Sequence, residues 1–171
     1  MAESAMTKLR KHQFIPLIDT SETVHTETWT PNWQRIKKST IFALNPNPQT
    51  VTQDYISDEF PIEEIEKYLP ELPQEVALYE KDPIYDFMFK LLYNLPVGSA
   101  IQHPALICFG GSEMKAWQIK QTTLVLGELN TVDGKLSFTM KFGGNIDHGT
   151  YAISDAGVTT FTPEAAAAAT E

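Results

Sequence analysis

Residues 135–142 alternate strictly between polar and apolar side chains, and this period of two is the strongest constraint on the fold of the chain. The apolar positions are Leu136, Phe138, Met140 and Phe142. Asp133-Gly134, just before them, is typical of a tight turn between antiparallel strands. The pattern therefore predicts a β-hairpin with one face in a hydrophobic core.

Shorter apolar or alternating segments predict further strands at 36–42, 105–109, 114–120, 122–129 and 150–154. The first of these begins after Trp33 and stops at Asn45-Pro-Asn-Pro48, where two prolines remove backbone donors. Because the strands follow one another with few helices between them, we expect mostly antiparallel pairing.

One segment has the period of a helix. Asp82 is a good N-cap and Pro83 suits the first helical position, so the pattern predicts a helix over Pro83–Asn94. Its apolar stripe is Ile84, Phe87, Met88, Leu91 and Leu92, which we expect to pack in the core. A second, shorter helix is predicted over Ile62–Tyr68, because Pro61 precedes it and glutamates fill its first turn.

Together these elements predict an α+β domain, an antiparallel β-sandwich of two packed sheets flanked by one main α-helix. Residues 1–28 are polar and lack a sustained period, which predicts an extended N-terminal arm with one apolar cluster at 14–18. Residues 29–162 form the predicted domain, with a long acidic loop at 45–80, and residues 163–171 form a C-terminal tail.

The charge is concentrated in one segment. The formal net charge is −9, and residues 41–80 alone hold nine acidic groups and one basic group. Such a balance argues against a protein that grips nucleic acid through a basic face. The acidic segment is either a solvated surface, or one that repels polyanions or docks on a basic patch of a neighbour.

Residues with chemical potential are scattered. The four histidines lie far apart, Cys108 is in an apolar run, and Asp147-His148 occupies a glycine-flanked turn. We therefore expect no enzyme activity, no metal and no cofactor. The first residues contain no apolar stretch of a signal peptide, and no apolar run approaches the roughly 20 residues of a membrane span, so no membrane association is expected.

A series of motifs in order resembles the major tail tube proteins of tailed bacteriophages, in the version common in phages of Gram-positive bacteria. The series covers roughly residues 29–162. It comprises Trp33-Gln-Arg-Ile-Lys-Lys-Ser-Thr leading to Leu44-Asn-Pro46, Asp54-Tyr-Ile-Ser-Asp-Glu59, Tyr79-x-x-Asp-Pro-x-Tyr-Asp-Phe87, Asp133-Gly-Lys-Leu-Ser-Phe138 and Gly149-Thr150.

The resemblance implies the phage tail tube fold and a structural virion protein. In that family, six copies join their sheets into a ring with a continuous inner β-barrel, and rings stack into a hollow tube through which DNA is ejected. The implied partners are further copies of the chain, the tape measure protein inside the tube, terminator and baseplate proteins at its ends, and a sheath protein if the tail is contractile. The implied location is the virion tail, with assembly in the host cytoplasm.

The N-terminal arm and the acidic segment are the candidate contacts between subunits; the resemblance assigns no residue to the lumen. The candidate residues are Phe14, Ile15, Leu17, Ile18, Asn45, Pro46, Tyr55 and Ile56. The alternative for the segment is a surface loop that covers its own core. The alternative for the protein is a tail terminator, baseplate or adhesion binding module with the same sandwich fold that does not polymerise.

Overall fold

Nine β-strands, one α-helix and two short 3-10 helices form the secondary structure of residues 6–21 and 29–164, the residues that the computed structural model describes. The strands are β1 (Ile15–Asp19), β2 (Trp33–Arg35), β3 (Pro48–Gln53), β4 (Ile62–Tyr68), β5 (Glu71–Ala77), β6 (Gln102–Cys108), β7 (Lys115–Asn130), β8 (Lys135–Ile153) and β9 (Thr159–Pro163). The helix α1 (Pro83–Asn94) lies between β5 and β6, and the 3-10 helices are Lys11–Gln13 and Gly98–Ile101. None of the helices in this part of the chain has the length and apolar character of a membrane span.

Seven strands form one antiparallel sheet, built around the long hairpin of β7 and β8. The strand order is β2-β1-β6-β7-β8-β5, and β9 pairs with the far end of β8. The remaining two strands, β3 and β4, form a separate two-stranded ribbon. The register of β7 on β8 shifts at two places, which allows these long strands to bend.

The sheet closes on itself, so that it is barrel-like. The chain leaves β2 at one edge and then runs along β5 at the opposite edge as residues 38–45. The Ala77 amide donates to the Lys38 carbonyl at 3.2 Å, and the amides of Asn45 and Glu71 each donate to the other's carbonyl at 2.9 Å. Closure pairs backbone groups at the edge of β5 that would otherwise be open to other chains.

The main core lies where α1 packs on the sheet. Three residues of α1 (Ile84, Met88 and Leu91) join buried residues of the strands such as Leu72, Phe138 and Met140. A second, smaller cluster lies on the other face of β1 and β6, beneath Trp33 and Phe161. Each fully buried large side chain contributes about 1.5–3 kcal/mol, so the many such residues here make the core the main source of stability.

The predicted helix is confirmed with its bounds. The Ile84 amide donates to the Asp82 carboxylate at 3.1 Å, which satisfies a free donor of the first turn. The helix ends at Leu95, which adopts the left-handed conformation at φ 46°. The predicted strand over 135–142 is also confirmed, because its four apolar side chains are buried.

The prediction of a mostly antiparallel sheet with one helix is confirmed. The predicted sandwich of two packed sheets is not found among the described residues, which form one closed sheet of seven strands and a separate hairpin. The strands predicted at 114–120 and 122–129 are one strand, β7, and the strand predicted at 150–154 is the end of β8. Local patterns cannot distinguish these arrangements, because they depend on pairing between distant segments.

Residues 15–19 are not part of an extended arm. They form β1, which lies between β2 and β6 and has all five residues buried. Pro16 and the polar flanks hid this strand from the sequence patterns, although its neighbours bury it on both faces. Residues 22–28 of the predicted arm lie outside the described residues.

The helix predicted over Ile62–Tyr68 is wrong, because the segment is strand β4, paired with β3. The predicted loop at 45–80 is likewise made of β3, β4 and β5 with short connections. In this case tertiary pairing overrides the favourable helix N-terminus that the glutamates suggested. The predicted tail at 163–171 includes the last residue of β9, and its residues 165–171 lie outside the described residues.

Candidate assembly surfaces

The groups considered for chemistry each have contacts of their own that do not join them into a reactive set. Burial raises the pKa of the Cys108 thiol to about 12, so this thiol stays protonated at neutral pH. His148 lies edge-on to Trp117 with ring centroids 6.0 Å apart, and Asp147 pairs with Lys120 at 3.3 Å. Within residues 6–21 and 29–164, no three His, Cys, Asp or Glu side chains are grouped so that they could hold a metal ion.

The β3–β4 hairpin stands away from the barrel. Its base closes where the Leu69 amide donates to the Asn47 carbonyl at 3.2 Å, and its last pair is Gln53 with Ile62. All seven residues of β4 are exposed. Six paired residues span about 20 Å at roughly 3.3 Å per residue, so the hairpin is a projection of substantial length.

Large apolar side chains are exposed along this hairpin, most strongly at its tip. Tyr55 is 52% exposed, Phe60 is 73% exposed, and Ile56 has a relative exposure of 107%. Others along the strands are Val51, Ile62, Ile65 and Tyr68. Several exposed apolar side chains on one projecting element indicate an interaction surface.

The hairpin is also strongly acidic. Residues 48–68 hold six acidic groups and one basic group; the acidic residues are Asp54, Asp58, Glu59, Glu63, Glu64 and Glu66. None of the ion pairs between described side chains involves a carboxylate of this hairpin. A partner for the hairpin must therefore accept apolar side chains and negative charge together.

A basic hollow of about 600 Å³ lies beside the first 3-10 helix and the segment after β2. Its cationic lining residues are Lys11, Arg35 and Lys37, and its apolar lining includes Phe14 and Phe42. The rings of these two phenylalanines pack with centroids 5.5 Å apart. Among the described residues that line it, none is acidic and none comes from the hairpin.

The outer side of α1 carries a third surface, which the sequence reasoning missed. Tyr85, Phe89 and Tyr93 stack along the helix, with centroid distances of 5.9 Å and 6.4 Å. Phe89 and Tyr93 are exposed. The spacing i, i+4, i+8 on the side away from the buried stripe is the signal that could have found this row.

The predicted contact residues divide into two groups. Ile15, Leu17 and Ile18 are buried in the subunit's own core, with 5%, 1% and 0% exposure, and Phe14 is half-buried beside Phe42. The second group is exposed: Asn45 and Pro46 lie just before β3, and Tyr55 and Ile56 lie at the hairpin tip. The structure thus places Tyr55 and Ile56 on the projecting hairpin, whereas Asn45 and Pro46 lie in the chain just before its base.

Solved structures that share this fold include a terminator of an extracellular contractile injection system and the cap of the anti-feeding prophage. One is the PVC sheath/tube terminator of an extracellular contractile injection system in its extended state, with a TM-score of 0.52 and 6% identity. The match covers 85% of this chain and 99% of that one. The other is the tube-terminating cap of the anti-feeding prophage, with a TM-score of 0.53 and 8% identity, covering 88% of this chain and 96% of that one.

Searches by sequence give a different result. No protein-family model matches the chain, and no curated protein matches it. The comparisons therefore establish a shared fold only. This chain has that fold in common with nearly the full length of a terminator and of a cap, at very low sequence identity.

Proposed function

We propose that this protein is a structural component of a phage-tail-like particle that ends the tail tube as a terminator or cap. The observation that carries the proposal is the fold shared with a sheath/tube terminator and a tube-terminating cap over 99% and 96% of their chains. On this proposal the protein acts by assembly and not by catalysis. Its partners are further copies of itself, the end of the tube and, in a contractile particle, the sheath.

The surface of the subunit supports a role in assembly. An acidic hairpin with an apolar tip, a basic hollow and an aromatic row on α1 give one subunit three chemically different surfaces. Different surfaces on one subunit favour head-to-tail contacts, which form closed rings when the rotation between copies closes. The protein would reside in the tail of the particle after assembly in the host cytoplasm.

A second candidate function is the tube itself. The ordered motifs between Trp33 and Thr150 favour it, because they resemble tail tube proteins. A tube subunit must present a stacking surface on both faces of its ring and therefore forms filaments. In this role, DNA would pass through a ring of six copies without specific binding, and the tape measure protein would lie inside the tube.

Negative-stain electron microscopy of the purified protein over a series of concentrations separates the two functions. We expect discrete rings with a central channel and no filaments at any concentration, because a terminator stops growth after one ring. Long tubes of constant width would contradict the terminator proposal and support the tube. A protein that stays monomeric throughout would contradict both and favour a baseplate or adhesion module.

A further inference from the structure

The acidic hairpin and the basic hollow are complementary in charge and in chemistry, yet they do not meet within one subunit. The hairpin carries six acidic groups against one basic group and exposes Tyr55, Ile56 and Phe60 at its tip. The hollow combines cationic side chains with an apolar floor, and no hairpin residue lines it. The two surfaces are opposite in charge, and both carry apolar groups that could pack together.

We propose that the β3–β4 hairpin of one copy of this chain docks in the basic hollow of the next copy. This inference rests on the proposed function in that both require self-assembly, but it adds the pair of surfaces that hold neighbouring subunits together. Apolar tip residues would pack against the Phe14–Phe42 pair, while the flanking carboxylates face Lys11, Arg35 and Lys37.

The charges determine which surfaces meet. Two hairpins repel each other and two hollows repel each other, so face-to-face pairing of identical surfaces is disfavoured. The remaining contact joins unlike surfaces, and a contact between unlike surfaces propagates from copy to copy instead of stopping at a dimer. Complementary charge also accelerates encounter at low salt and loses effect as ionic strength rises.

Charge exchange tests the contact. The hairpin variant carries Glu63→Lys, Glu64→Lys and Glu66→Lys, and the hollow variant carries Lys11→Glu and Lys37→Glu. These side chains are exposed, so both variants should fold with an unchanged circular dichroism spectrum. We expect each variant alone to need at least about tenfold more protein for half assembly, since like charges now face each other.

The protein with all five substitutions should assemble again, because the complementary signs are restored with their positions exchanged. A mixture of the two single-surface variants should assemble with the two kinds of copy alternating, because the native hairpin fits the native hollow and the exchanged hairpin fits the exchanged hollow. The control for the hollow variant is Lys81→Glu with Lys141→Glu. It makes the same change in net charge as the hollow variant, but at exposed positions outside the hollow, and it should assemble normally.

Cross-linking gives a second readout that does not depend on charge. A chain with Ile56→Cys at the hairpin tip and Thr40→Cys in the hollow should be cross-linked by a short bismaleimide into a ladder of oligomers, because the two thiols of neighbouring copies meet in the proposed contact. The buried Cys108 does not compete for the reagent. The pair Val132→Cys and Thr40→Cys is the control, since Val132 lies in the exposed turn between β7 and β8. We expect no ladder from this pair.

Several outcomes would overturn the proposal. They are normal assembly of both single-surface variants, failure of the five-substitution protein to assemble, or a wild-type protein that stays monomeric. A hollow variant that assembles normally but loses binding to a DNA oligonucleotide would assign the hollow to a polyanion instead. If the wild type forms filaments and the exchange pattern still holds, the contact stands while the terminator function fails.

Discussion

Asp19 is fully buried at the end of β1, and its carboxylate accepts four hydrogen bonds from residues that the structure describes. The amide and hydroxyl of Ser21 donate to it at 2.9 Å and 2.8 Å, the Trp29 indole at 2.7 Å and the Asn32 amide at 2.8 Å. The carboxylate thus ties β1 to the segment that leads into β2. A buried charge with this many donors stabilises the fold only while the set is complete.

Replacing Asp19 with alanine should lower the free energy of unfolding by about 3 kcal/mol, because it leaves buried donors without an acceptor. Urea denaturation followed by fluorescence measures the change. The control Ser21→Ala removes one hydroxyl donor and should cost only about 1 kcal/mol. Equal losses in the two variants would show that the carboxylate has no special role.

At the scale of elements, the hairpin contributes little to the fold that carries it. Its two strands pair with each other and not with the main sheet, and β4 is exposed throughout. Asn47 and Leu69 are already joined by a hydrogen bond at its base. The hairpin is therefore structurally separable from the barrel, as the proposed contact between subunits requires.

Replacing residues 48–68 with two glycines should leave the melting temperature nearly unchanged, since no buried core residue is lost, but should abolish assembly. Thermal unfolding and analytical ultracentrifugation measure the two effects. A matched control replaces Ile56 and Phe60 with serine, which keeps the hairpin and its charge and should weaken assembly less. If the deletion variant unfolds, the hairpin is not structurally separate from the barrel.

The elements that the sequence predicted well are those specified by neighbouring residues. Asp82, Pro83 and the apolar stripe of α1 are local signals, and so is the alternation over 135–142. The β4 strand has no such signal, because both of its faces are exposed and nothing imposes alternation. Likewise, β1 is buried by strands that lie far away in the sequence, so its role in the core is visible only in the structure.

The candidate surface shows the same division. Tyr55 and Ile56 are candidates in the sequence because they lie in the acidic segment, within the motif Asp54-Tyr-Ile-Ser-Asp-Glu59. The hollow is not visible in the sequence, because Lys11 and Lys37 line it together only once β1 pairs with β2. Proximity of this kind results from topology and leaves no local pattern.

At the scale of the whole molecule, Glu75 connects the parts that close the barrel. Its carboxylate accepts hydrogen bonds from Lys135 in β8 at 2.6 Å and from Thr40 in the closing segment at 3.2 Å. The bond from Lys135 holds the pKa of Glu75 below its ordinary value of 4.5. A carboxyl group with a lowered pKa in the folded state stabilises it above the unfolded pKa, and this contribution is lost as the pH falls through the folded pKa.

Glu75→Gln should therefore lower the melting temperature at pH 7 and reduce its further fall on acidification below about pH 4.5. Melting curves between pH 3 and pH 7, collected by circular dichroism, measure the effect. Glu128→Gln is the control, because this exposed carboxylate lies on the neighbouring β7 outside the described ion pairs. An identical pH profile for Glu75→Gln and the wild type would contradict the role of the pair.

The position of β1 in the chain also affects when this strand can pair during folding. This strand is synthesised before β6, with which it makes its longer pairing and which ends at Cys108. Synthesis of the intervening chain takes roughly 5–20 s at about 5–20 residues per second. During that time the five residues of β1, which are buried in the folded protein, have no partner on one side. We therefore expect insertion of β1 to be a late step, because contacts between distant segments form slowly.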